Sequence, residues 1–254
     1  MKILYAISLF FLLGVITPAG ATVYNVPGDY LSIQMAINAS VRGDTVLVEP
    51  GTYNENIDFD GKDILVGSRF VLTGDTTYVS QTIISTYSGP LVEFRRNESR
   101  DARLSGFTIT GGHAHEGAGI SCYESSPTLD NLRIVGNTAQ LAGGGIHINH
   151  GDPLVIACVI SDNTADNWAG GGIACFYSAV VVDGNIIEGN YAGESGGGIF
   201  SENSAPEITN NRIVGNEAVG YYGGGIGSRN STPIIADNYI SDNDGGQYGG
   251  GLFY

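Results

Sequence analysis

Two groups of residues in this sequence, glycines and histidines, invite a chemical reading. Glycine clusters followed by an aliphatic residue close the segments "GNTAQLAGGGIH", "DNTADNWAGGGIA", "GNYAGESGGGIF", "GNEAVGYYGGGIG" and "DNDGGQYGGGLF". Glycine backbones can cradle a phosphate, but a P-loop needs Gly-Lys-Ser/Thr after its last glycine and then a helix. Here Ile or Leu follows in a strand-like context, and one such site would not be copied five times. Calcium-binding nonapeptide repeats need Gly-Gly-x-Gly-x-Asp every nine residues. The period here is about three times longer and the Asp is missing. The glycines are therefore expected to be structural. "GGHAHEGAG" brings His113, His115 and Glu116 together, and alternate residues of a strand share a face, so a metal is conceivable there. A solvated turn before the first glycine cluster is the simpler expectation, because His147 and His150 do not join them at ligand spacing.

Aromatic residues form a third group. Trp168, Tyr221, Tyr222 and Tyr248 stand just before the glycine clusters and read as one loop position in successive or alternate coils of a repeat. Rings along a rigid edge could stack on sugars or meet a partner. The competing reading is that they pack over the turn.

The elements that must position these residues follow from the repeat. The aliphatic residue after each cluster falls at Ile120, Ile146, Ile173, Ile199, Ile226 and Leu252, at steps of 26 or 27. Asn137, Asn163, Asn190, Asn216 and Asn243 keep the same beat, as do Ile134, Ile160, Ile187, Ile213 and Ile240. Pro127, Pro153, Pro206 and Pro233 mark a further phase. Periods of this length mean solenoids or propellers. A propeller blade is longer, and neither leucine-rich nor helical patterns are present. Short alternating segments separated by Gly, Asn and Ser turns predict three strands per coil of a parallel β-helix, each strand pairing with its counterpart one coil on. At about 4.8 Å per coil, equivalent residues stack in ladders. The Ile residues are expected inside, and the Asn residues in turns with left-handed backbone. Cys122 and Cys175 follow the cluster Ile by two and should point inward, about 9.6 Å apart and out of disulfide reach. Cys158 is expected in the core. Glu202 and Arg229 share a position in adjacent coils and should pair on the surface.

Before the repeats, Leu31, Ile33, Ala36 and Ile37 have near-helical spacing and predict a short amphipathic helix that caps the solenoid. Residues 22–103 read as this cap plus irregular coils, and 104–254 as regular repeats, all one domain. Residues 1–21 read as a signal peptide, with cleavage expected after Ala21, so the mature chain is expected to be exported, with no membrane span once the signal is removed. The net charge of −15 and the lack of a basic stripe argue against nucleic-acid partners. The sequence stops at "GGGLFY", in the first strand of a coil. Either a second copy closes that end or the sequence is a piece of a longer protein, the reading favoured here.

With these residues in place, the chain resembles the right-handed parallel β-helix, or pectin-lyase-like, superfamily. "VPGDYLSIQMAINASVRGDTVLVEPGTYNENIDFDGKDI" is similar to the opening of secreted bacterial members, and Ile-x-x-Asn-x-Ala followed by Gly-Gly-Gly-Ile resembles the repeats of chlamydial polymorphic outer-membrane proteins. The resemblance is specific for fold and weak for activity. It implies two classes of function. Lyases of the superfamily use carboxylates holding calcium plus a basic residue, and hydrolases use clustered Asp residues with a His-Gly and an Arg-x-Lys. "NHGD" at 149–152 has a His-Gly, but no paired Asp lies near it and no Arg-x-Lys occurs. Asp162 and Asp242 share a repeat position but sit three coils apart, and residues 104–254 contain no Lys. The expected function is therefore a secreted or cell-surface scaffold for adhesion or glycan binding, without cofactor and with a polysaccharide or surface partner. The alternative is a pectate-lyase-like enzyme with a divergent or missing site, the one case in which calcium is expected.

Overall fold

The computed structural model describes residues 20–247 and 249–253. The expected signal peptide, apart from Gly20 and Ala21, lies outside them, as do Tyr248 and Tyr254. The described chain winds into a parallel solenoid of about nine turns. In one coil Ile146–Asn149, Leu154–Ile156, Val159–Ser161 and Thr164–Ala165 follow one another. Each pairs in parallel with its counterpart in the next coil, Ile146 opposite Ile173, Leu154 opposite Val181, Val159 opposite Ile186 and Thr164 opposite Tyr191.

A regular coil thus has four strands where the repeat predicted three. The strands form four sheets, taken here in coil order. Sheet I runs from Ile57–Asp58 to Leu252–Phe253, sheet II from Val23–Val26 to Ile234–Ala236, sheet III from Gly51–Tyr53 to Tyr239–Ser241. Sheet IV, from His113–Glu116 to Glu217–Ala218, is the addition. Its strands fall in the stretch between Asn and glycine cluster that reads as loop. The repeating Ala of that stretch is why it pairs: Ala139, Ala165, Ala192 and Ala218 are buried and in register, small enough to lie flat under the turn.

The core is a set of ladders. Ile120, Ile146, Ile173, Ile199 and Ile226 stack in sheet I, and Ile134, Ile160, Ile187 and Ile213 in sheet III, all fully buried. Each contributes roughly 1.5–3 kcal/mol of apolar burial. Cys122, Ile148 and Cys175 are in register inside, and Cys122, Cys158 and Cys175 are buried and unbridged. Burial pushes the thiols of Cys158 and Cys175 up to about 12, so they behave as small apolar groups.

Two ladders of asparagine run beside the aliphatic ones. Asn137, Asn163 and Asn190 each donate from Nδ2 to the Oδ1 of the Asn one coil on, at 2.9, 3.0 and 2.9 Å, and Asn216 does the same to Asn243. The same Oδ1 accepts the backbone N–H of the preceding Asn. The expected left-handed backbone belongs to the residue before each Asn: Gly136, Asp162, Gly189, Gly215 and Asp242 have positive φ. That residue turns the chain, which frees the Asn side chain to point inward. A second ladder, Asn185, Asn211 and Asn238, lies between sheets II and III, with Cys158 donating its N–H into the first member. Its spacing was equally present in the sequence but lacked the neighbouring glycine cluster that drew attention to the first.

The glycine clusters are close-approach positions. A Cβ on Gly144 would lie 2.3 Å from the Thr164 carbonyl oxygen and 2.6 Å from that of Gly171. No side chain fits between coils there.

At the other end, helix α1 (Ile33–Ala39) starts at Ser32, whose hydroxyl accepts the Met35 N–H. Ile33, Ala36 and Ile37 are buried in the main core with Val26 and Val46. Leu31, expected on the same face, precedes the helix and is 82% exposed. Two more short helices, Phe70–Thr73 and Thr77–Gln81, interrupt the early coils.

Candidate functional site

The outer face of sheet I is where the chain departs furthest from plain repetition. Inward residues of each strand alternate with two outward ones. The first outward row reads Asp58, Glu93, Ser121, His147, Ala174, Phe200, Gly227 from coil to coil. The second reads Tyr123, Asn149, Phe176, Glu202, Arg229. Large apolar residues on the outside of a sheet need cover, and Phe176 and Phe200 obtain it from Trp168, reaching over from the turn after sheet IV. The ring centroids of Trp168 lie 5.0 Å from Phe176 and 6.2 Å from Phe200. With Ala142, Ala169, Ala174 and Leu141 they form a second apolar cluster outside the barrel of coils.

A cleft of about 220 Å³ opens beside this cluster. Trp168 and Phe176 supply its apolar wall; Glu116, His147, Asn149, Tyr177 and Glu202 supply polar groups. A second, wider hollow of about 470 Å³ lies next to it and shares Glu116, with His113, His115, Ser121 and Gln140 around it. His147 is nine-tenths buried against Phe176, at 5.3 Å, and its Nε2 lies 3.8 Å from Glu116 Oε2. Burial lowers the imidazole's pKa, partly opposed by the Glu116 charge, so the ring is neutral at pH 7. Both carboxylate oxygens of Glu202 accept from Arg229 Nη2 at 2.6 Å. Further up the same face, Arg95 Nη2 lies 2.9 Å from Asp58 and 3.2 Å from Glu93. Glu93 titrates above the ordinary carboxylate range, because burial outweighs the attraction of Arg95, and Asp58 adds to the rise.

The residues singled out from sequence are distributed unevenly over this surface. Trp168 lines the cleft, half-buried. The aromatic residues do not share one position: Ser195, Ala169 and Tyr222 are in register, which puts Trp168 with Glu194 and Tyr221 one residue earlier. The one-residue offset turns Tyr222 toward Phe253, centroids 5.1 Å apart, while Tyr221 is exposed two coils from Trp168. Among the described residues no continuous stacking edge results. His113 and His115 belong to sheet IV, and His113 stacks on Tyr87 at 5.4 Å. Among the described residues no three His, Cys, Asp or Glu side chains converge at metal distance. The structure joins Glu116 instead to His147, a partner that sequence spacing had set aside, since one coil separates them along the chain. Glu202 and Arg229 pair as expected. Phe176, Phe200, Tyr177, Asn149, Asp58, Glu93 and Arg95 were missed. For the two Phe residues the signal was available: they stand one and three places after an inward Ile, hence on the outside.

The right-handed β-helix region family matches residues 118–254, more than half of the sequence. The chain belongs to this family. No curated protein matches it. Among solved structures the β-helix is similar to a pectin methylesterase in complex with a hexasaccharide, at a TM-score of 0.53 and 11% identity, over 88% of this chain and 82% of that one. The likeness is one of fold, the right-handed parallel β-helix. Among the described residues of the β-helix, no helix is long and apolar enough to cross a membrane.

Proposed function

We propose that this β-helix is an exported, non-catalytic glycan-binding scaffold, and that the sheet I cleft is where sugar binds. The observation that carries this reading is the pairing, within one cleft, of an aromatic wall with hydrogen-bonding groups of both kinds. Sugar rings present C–H faces that pack on indole and phenyl rings, while their hydroxyls need donors and acceptors; Trp168 and Phe176 supply the first, Asn149, Tyr177 and Glu202 the second. A rigid stack of coils costs little ordering on binding. The fold neighbour holds a hexasaccharide, which is compatible with a polysaccharide partner. For catalysis the cleft is poorly equipped: Glu202 is engaged by Arg229, and Glu116 lies 3.8 Å from His147, beyond hydrogen-bond length.

Tyr177→Asn tests the reading. Tyr177 is exposed and has φ of 51°, and the next two coils carry Asn203 and Asn230 at this left-handed position, so Asn keeps the turn. Retention on polysaccharide matrices should fall with thermal unfolding little changed, since the variant loses only the outer ring stack of Tyr177 on His150; unchanged retention refutes the site. Trp168→Ala should weaken retention too, but also stability, since Trp168 covers Phe176 and Phe200.

The Asp58, Glu93 and Arg95 group supports a second reading, a polysaccharide-degrading enzyme. Two carboxylates on adjacent coils, one with its pKa raised, are of the kind that divides acid and base roles. Calcium belongs to this reading alone. Turnover of uronic-acid polymers or neutral glycans that is lost in Glu93→Gln would establish it in place of the scaffold.

A further inference from the structure

We infer that the glycan held on this face is an uncharged polysaccharide, and that the carboxylates of the cleft exclude polyuronates. The inference rests on the glycan-binding reading above and names its ligand class.

A polyuronate carries a carboxylate on every ring and binds where cations are free to meet it. On the outer face of sheet I the cations are already engaged. Arg229 gives Nη2 to both oxygens of Glu202, and Arg95 is held between Asp58 and Glu93. The cleft's remaining ionisable groups point the same way. Glu116 is half-exposed at the junction of the two hollows, and His147, whose Nε2 lies 3.8 Å from it, is buried against Phe176 and uncharged at pH 7. What the cleft presents to a ligand is therefore one unneutralised carboxylate, an aromatic wall and neutral hydrogen-bonding groups, Asn149 and the Tyr177 hydroxyl. Carboxylates and amides are good acceptors for sugar hydroxyls, and the aromatic wall is indifferent to charge. A like-charged polymer would lose affinity at Glu116 and gain nothing at Arg229 unless Glu202 gave way. Glu202 is thus the specificity residue: it occupies the guanidinium that a uronate would need.

The test compares retention of the full chain on matrices bearing a neutral β-glucan, a neutral xylan and polygalacturonate, with calcium chelated and with calcium added. Retention on a neutral matrix, about tenfold stronger than on polygalacturonate in both calcium conditions, is expected. Glu202→Gln should free Arg229 and raise retention on polygalacturonate several-fold. The gain should vanish at high salt and in the double variant Glu202→Gln with Arg229→Ala. Circular dichroism checks that each variant is folded; should Glu202→Gln fail to fold, Glu116→Gln serves the same purpose by removing the unpaired charge. Retention on polygalacturonate equal to or above that on both neutral matrices overturns the inference while leaving glycan binding standing. No retention of the folded wild-type chain on any matrix overturns the glycan-binding reading itself, and this inference with it.

Discussion

The coils before residue 104 and those after it solve the same stacking problem by different means. In the later coils a few positions repeat from coil to coil, and stability comes from their ladders: Ile on Ile, Asn donating to Asn, glycine clusters with a carbonyl of the next coil in the space a Cβ would need. In the earlier coils no position repeats cleanly. Bulky rings, Phe59 and Phe94, fill the core, short helices bridge the strands, and ion pairs gather: Arg42 with Asp63, Arg69 with Glu49, Arg96 with Asp60. The difference teaches where each kind of interaction is useful. A ladder is satisfied only if every member is present, so it is sensitive to single changes. An ion pair with both partners exposed, such as Arg96 with Asp60, is individually dispensable.

The largest expected effect is therefore at a ladder glycine. A Cβ on Gly171 would lie 2.2 Å from the Tyr191 carbonyl oxygen, so Gly171→Val should destabilise by about 3 kcal/mol or more, or prevent folding. Gly184, also in a repeat but with nothing near its missing Cβ, is the control: Gly184→Ala meets only the cost of positive φ, about 1 kcal/mol. Equal losses in thermal unfolding would break the distinction between close-approach and turn glycines. Next comes Asn163→Ala. It strands the buried N–H of Asn137 and removes one acceptor of its Nδ2, which keeps the Ile109 carbonyl, and about 1 to 3 kcal/mol should be lost in denaturant titration. A loss below about 1 kcal/mol would mean that the ladder is ornament to the Ile core.

A smaller effect is expected from acid. The folded state lowers the His147 pKa below its unfolded value of 6.5. Its contribution is complete above that value and is lost as pH falls through the lowered folded one, because the unfolded chain takes up the proton first. Stability should decline below about pH 6.5, and the part due to this group should be absent in His147→Gln. A steeper decline in the variant would contradict the burial of a neutral ring. Smallest of all, Arg96→Ala removes an ion pair whose partners are both more than a third exposed. It should change stability by less than about 0.5 kcal/mol, and by still less in high salt.

How much of this was legible beforehand follows the same division. Residues with a periodic partner could be placed from sequence: the phase of Ile146, Ile173, Ile199 and Ile226 implied an inward ladder, and the three-residue offset implied that Glu202 meets Arg229. The Asn ladder could be located but not oriented, since whether Asn163 or Asp162 takes the left-handed backbone is decided by which side chain the next coil can accept. Sheet IV escaped notice because strands of two residues, such as Thr164–Ala165 and Tyr191–Ala192, carry no alternation to detect.

The sequence by itself determined the coil: its period, its aliphatic interior, its glycine corners and hence the fold. That is because stacking translates equivalent residues by a constant step, and a constant step is visible as phase. Only the tertiary structure decided the cleft. Trp168 over Phe176 and Phe200, and Glu116 beside His147, join residues at different places in the repeat from neighbouring coils. Such contacts depend on how far each turn folds back over sheet I, a distance that no spacing along the chain encodes.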